Sequence, residues 1–184
     1  RITVSSEKIL FNTANNVRTN VGFSVKNTEF NHQDGGTIEI NGYEGDDVVF
    51  FANYSTVSFH DFVVNNGGYC LAGWDTDWYV RDSNFSNNVG GADLTGGSLE
   101  LKNVGISNNG EGLCLWGTSL TGEALSFTRN RRRAIIATND LNLNNVDFIS
   151  NFCSATRTAS SSASADAIAE GGAIFKKGGT ISNN

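Results

Sequence analysis

The chain has 184 residues, 39% of them apolar, with 21 Gly, no Pro, no Met and a net charge of −6 at pH 7. Its 13 basic residues are scattered apart from one cluster, which argues against a nucleic-acid partner. No apolar run approaches the roughly 18 residues of a membrane span, so no span is expected in this piece.

Many glycines without proline suit stacked strands, because turns need positive φ and Pro would delete a ladder hydrogen bond. A chain lacking Met even at position 1 is expected to be processed or excised, with any signal peptide or anchor outside it. Cys70, Cys114 and Cys153 have neither C-x-x-C spacing nor a neighbouring His, so neither metal nor cofactor is expected. Cys70 and Cys114 read as one phase two coils apart. At about 4.8 Å per coil that is beyond disulfide reach, so both are expected as small buried apolar groups.

In chain order, residues 1–41 read as less regular first coils, in which Gly22 to Phe30 resembles the later strands. The interval from Phe30 to Phe62 stretches to 32 residues, and the excess is placed in an acidic turn-rich loop near 41–47. Four segments beginning at Asp77, Ser98, Ser119 and Asp140 then superpose without a gap, each 21 residues after the last. A fixed period in this range marks a solenoid, whose repeats bury their apolar faces only by stacking.

Within a repeat, Leu99, Leu101, Val104 and Ile106 alternate with polar residues, which is the period of a strand and not of a helix. A second short strand follows in each repeat, as in Tyr69 to Gly73, Ala92 to Gly96, Leu113 to Gly117 and Arg133 to Ala137. The expected fold is therefore an all-β, right-handed, single-stranded parallel β-helix spanning residues 1–184 as one domain of roughly eight coils. Phe85, Ile106, Phe127 and Phe148 share one phase and should form a buried ladder, about 4.8 Å between coils. Asn88, Asn109, Asn130 and Asn151 follow at the turn, where side-chain amides can hydrogen-bond from coil to coil. Between Asn151 and Asn184 the spacing exceeds the period by about 12 residues, placed in a Ser/Ala loop near 154–169.

Gly171-Gly-Ala-Ile174, with Phe-x-x-Asn at Phe62 to Asn65, Phe85 to Asn88, Phe127 to Asn130 and Phe148 to Asn151, carries a family resemblance. Paired GGA(I/L/V) and FxxN repeats resemble the chlamydial polymorphic membrane protein family, over roughly Phe62 to Asn184. Gly90-Gly-Ala-Asp93 places Asp where that pattern has an aliphatic residue, and Ile106 stands in place of Phe. The resemblance implies an autotransporter passenger, a β-helical adhesin displayed on the outer membrane.

Two stretches are candidate binding surfaces. In Trp74-Asp-Thr-Asp-Trp-Tyr79, Trp74, Asp75, Asp77 and Tyr79 could stack on sugars or offer oxygens to calcium. The blander reading puts Trp78 in the core at the phase of Leu99 and leaves the rest as a solvated turn. Arg129, Arg131, Arg132 and Arg133 could grip a sulfated glycan, a phosphate or an acidic partner, or could be an exposed turn that blocks edge association. His32 and His60 have no nucleophile motif beside them and read as turn or surface residues.

The functional expectation is a non-catalytic extracellular or cell-surface adhesin or spacer, with a host-cell receptor or glycan as partner. Two alternatives stand beside it. A polysaccharide lyase or glycoside hydrolase would need carboxylates about 5–9.5 Å apart on one face. A structural fibre would rely on end-to-end self-association through open strand edges.

Overall fold

The structure, a computed structural model, describes residues 2–4, 8–12, 21–26, 28–32, 37–41, 48–151, 174–176 and 180–183. Of the insertion expected near 41–47 only Asn41 is described, as the end of a strand, and the insertion expected at 154–169, Cys153 and residues 171–173 lie outside the described residues. The fold is an all-β solenoid of parallel strands with about five turns of roughly 21 residues. Its strands fall into two hydrogen-bonded sheets.

The burial of Asp77–Ser86 alternates exposed and buried until Arg81 and Asp82, two exposed residues in succession. There the chain bends, because Asp82 takes a left-handed backbone (φ 50°), as do Asp61, Asn103, Ala124 and Asn145 at the equivalent points. A second set of left-handed corners comprises Asn66, Asn87, Asn108, Arg129 and Ser150, and a third Tyr54, Asp75, Gly96 and Gly117. Asn and Asp supply most of these positions, as their tolerance of this region predicts. Each coil thus has three faces, represented by residues 77–81, 83–86 and 90–95. The corners keep the main-chain ladder intact: Asp75, Asp61 and Asn66 still donate their N–H to Thr95, Arg81 and Ser86 of the next coil.

Inward side chains form continuous rows. Trp78 lies between Val57 and Leu99 and is 1% exposed, which settles it as core. Val64, Phe85, Ile106, Phe127 and Phe148 form one row as their register requires. Phe127 and Phe148 stack with centroids 5.2 Å apart and planes 10° from parallel. Phe148 is only partly buried, on the last coil of the regular run.

The Asn row is also inside the coil. Asn109 receives the N–H of Asn88 on its Oδ1 and donates from Nδ2 to the carbonyl of Phe85 (2.8 and 3.0 Å). Asn130 does the same for Asn109 and Ile106, and Asn151 for Asn130 and Phe127. Each side chain therefore satisfies two main-chain groups that the turn removes from the strand ladder.

Four register expectations change. Val64 and not Phe62 pairs with Phe85, so the Phe62 to Asn65 motif stands two residues out of phase with Phe85 to Asn88, and Gly67 occupies the Asn position. Phe62 still enters the core, stacked on Phe59 at 4.1 Å. Cys114 aligns with Ala72 and not with Cys70, although both thiols are buried and free. Ile174 aligns through Ile135 and Leu113 with Ala92, so Asp93 is an outward position that never required an aliphatic residue. Finally, Ile181 pairs with Leu141 at an offset of 40 residues, which places it at the start of the first face and not at the Phe/Asn phase.

Toward the start of the chain the pairing offset is 27 at Phe30 with Val57, 24 at Ile38 with Phe62 and 21 at Val48 with Tyr69. The excess length is therefore shared between two connections, one before Ile38 and one before Val48.

Candidate functional site

The third face carries its aromatic and charged side chains outward in columns. One column runs Asn53, Trp74, Thr95 and Trp116; its neighbour runs Phe51, Ala72, Asp93, Cys114 and Ile136. Trp74 and Trp116 are 51% and 44% exposed, a placement that contributes little to folding. Each indole leans back diagonally across one coil to the residue 23 positions earlier. Trp74 meets Phe51 edge-on with centroids 5.3 Å apart, and the Trp116 indole lies near enough to the Asp93 carboxylate to favour its ionised form. The two rings thus share one column, two coils apart, with Thr95 between them in the column and Asp93 beside it.

Charged groups border this column on the side where the chain enters the face. Glu111 accepts from Arg132 Nη1 at 2.9 Å and from Cys114 Sγ at 3.1 Å. Burial alone would raise the Glu111 carboxyl, but the Cys114 bond and the bond and charge of Arg132 together hold it below its ordinary value. Burial raises the Asp93 carboxyl, opposed by the nearby Trp116 indole and assisted by repulsion from Glu111. Tyr69, beside Glu111, is pushed up to about 12, first by burial and then by the negative charge of Glu111. Cys114 is raised by burial and by Glu111, which removes it as a thiolate nucleophile at neutral pH.

The arginine cluster divides. Arg132 is bound to Glu111, and the Arg133 guanidinium lies 4.6 Å above the Phe175 ring. Arg129 occupies a left-handed corner (φ 54°) and Arg131 the turn after it, both exposed, where their main-chain N–H groups bond to Ile149 and Asn109. They face the edge between the second and third faces.

The Trp74 to Tyr79 stretch does not form one surface. Trp74 closes the third face, Asp75 is a corner (φ 47°), and Asp77 and Tyr79 lie on the first face beyond it. Asp77 accepts a 2.6 Å hydrogen bond from the Ser98 hydroxyl. Tyr79 borders a shallow depression of about 360 Å³ with Ser58, His60, Arg81, Glu100 and Lys102. His60 Nε2 lies 3.0 Å from Asp82 and Nδ1 3.3 Å from Asp61, so it belongs to a corner network and is not a lone surface imidazole. Asp82 also accepts from Asn103 at 2.7 Å, and that bond, then His60 and Arg81, lowers its carboxyl. Among the described residues no group of three His, Cys, Asp or Glu side chains is placed to hold a metal ion.

Trp116, Asp93 and Glu111 were absent from the sequence-based candidates. The signal available was position: Trp116 follows Trp74, and Glu111 follows Tyr69, by two full periods of 21. Comparison with protein-family models, with curated proteins and with solved structures returned no match to this chain.

Proposed function

We propose that the chain is a non-catalytic β-helix of an exported, cell-surface or extracellular protein, acting as an adhesin or spacer that offers its outer faces to a ligand. The observation that carries this reading is the exposed pair Trp74 and Trp116, aligned in one column on the third face. Large exposed aromatics on a rigid scaffold mark an interaction surface, since folding gains little from them. The nearby carboxylates support binding over turnover: Glu111 is tied to Arg132 and Cys114, and Asp77 to Ser98. The GGA(I/L/V) and FxxN resemblance agrees with display on an outer surface.

Beads coated with the protein are expected to attach to cultured cells, while incubation with neutral and acidic polysaccharides releases no new reducing ends or unsaturated products. A reproducible product peak that disappears in Asp75→Asn or Asp77→Asn would overturn the non-catalytic reading.

A further inference from the structure

The position of Trp74 and Trp116 also restricts what the third face can bind. They occupy one column, with Thr95 between them, so their separation along the solenoid axis is two strand spacings, about 9.6 Å. Trp74 rests edge-on against Phe51, and both indoles stand out from the same column of the face, 51% and 44% exposed. The strip between them carries only the short side chains of Thr95 and Asp93. Hydrogen-bonding groups border it: Asn53 and Thr95 in the column, Asp93 beside it, and Glu111 with Arg132 across the face.

From this arrangement we infer that the third face binds an extended β-linked glycan lying parallel to the solenoid axis, with alternate sugar rings stacked on Trp74 and Trp116. The inference rests on the binding-surface reading above and names its ligand class. A pyranose has an apolar C–H face and a hydroxyl rim, which this surface of rings among short polar side chains complements. In an extended β-linked chain successive rings are turned over, so rings of the same orientation recur at every second unit, as the indoles recur at every second coil. A peptide adding as a β-strand is not accommodated here, because main-chain donors and acceptors of neighbouring coils are paired across this face and strand addition needs a free edge.

The test is a titration of the whole chain, followed by tryptophan fluorescence and calorimetry, with cellobiose, cellotriose, cellohexaose and chitohexaose, and with maltohexaose as the curved α-linked control. Three linked rings are the shortest ligand that reaches both indoles. Affinity is therefore expected to rise about tenfold between cellobiose and cellotriose, and to be weakest for maltohexaose. Trp74→Ala or Trp116→Ala should remove that step and weaken cellohexaose about tenfold, whereas Tyr79→Ala, on the first face, should change nothing. Trp74→Phe and Trp116→Phe should retain most of the affinity, and unchanged thermal unfolding of all variants confirms that they fold.

Failure of both β-linked hexaoses to bind, affinity without length dependence, or full binding by both Ala variants would overturn the inference. So would a dimer in light scattering that disappears in Trp74→Ala, which would assign the patch to a second copy of the chain. If the oligosaccharides fail while coated beads still attach to cells, the glycan assignment falls and the adhesin reading stands. Oligosaccharide binding without attachment would remove the adhesin reading and keep the glycan assignment.

Discussion

Asn130 is fully buried and holds the N–H of Asn109 and the carbonyl of Ile106 through one amide, so its removal leaves two main-chain groups without a partner and without access to water. Asn130→Ala is expected to cost about 1–3 kcal/mol, read as a lowered midpoint in chemical denaturation. Asn65, which the FxxN pattern treats as equivalent, sits at the half-exposed Ser86 position, and Asn65→Ala should cost well under that. The difference shows where a four-residue motif stops being informative. Phe62 and Phe85 are both followed by Asn three residues on, but only pairing with the next coil decides which Asn turns inward. The 21-residue spacing carried that information for Asn88 to Asn151, and it failed at Phe62, 23 residues before Phe85.

At the scale of strands, close approach between coils limits what each position tolerates. A Cβ on Gly112 would lie 1.9 Å from the carbonyl oxygen of Ala134, main chain that cannot rotate away. Gly117 has positive φ (70°) but nothing nearer than 3.8 Å. Gly112→Ala should therefore destabilise strongly or prevent folding, whereas Gly117→Ala should cost about 1–2 kcal/mol for its left-handed backbone alone, compared by thermal unfolding. Phe127→Ala, in the continuous aromatic row, should cost about 3–5 kcal/mol through the cavity it leaves. On the third face Tyr69 is raised to about 12 in the fold against 10.0 for the free group. A raised acid keeps its stabilising contribution below the unfolded value and loses it as pH climbs toward the folded one. Stability should accordingly fall between about pH 10 and 12, and Tyr69→Phe should flatten that decline in urea midpoints measured across the range. Sequence periodicity revealed the strands and which of their residues point inward. It marked the corner at Asn103 as a slip of the alternation between Leu101 and Val104, but not the one at Asp75, where the next inward residue is the polar Thr76. Hence Trp74 and Tyr79 read as one surface, when the Asp75 corner turns them onto different faces.

For the molecule as a whole, the solenoid was legible because one pattern recurs often enough to exclude helical repeats, while the proposed ligand surface was not. Its indoles come from strands 42 residues apart, and only stacking makes them neighbours in one column. The Asn row gives the assembled coils a direction. Asn109 clamps the coil of Phe85, Asn130 that of Ile106 and Asn151 that of Phe127, always backward along the chain. In hydrogen exchange, Asn130→Ala should therefore speed the amide of Asn109, which it receives, and leave protected the amide of Asn88, which Asn109 receives. A stack built this way behaves like a ratchet. Each coil is locked only when its successor arrives, so a chain delivered from its N-terminal side fastens what it has already laid down. A pull that peels coils from the C-terminal side takes the fastener away first.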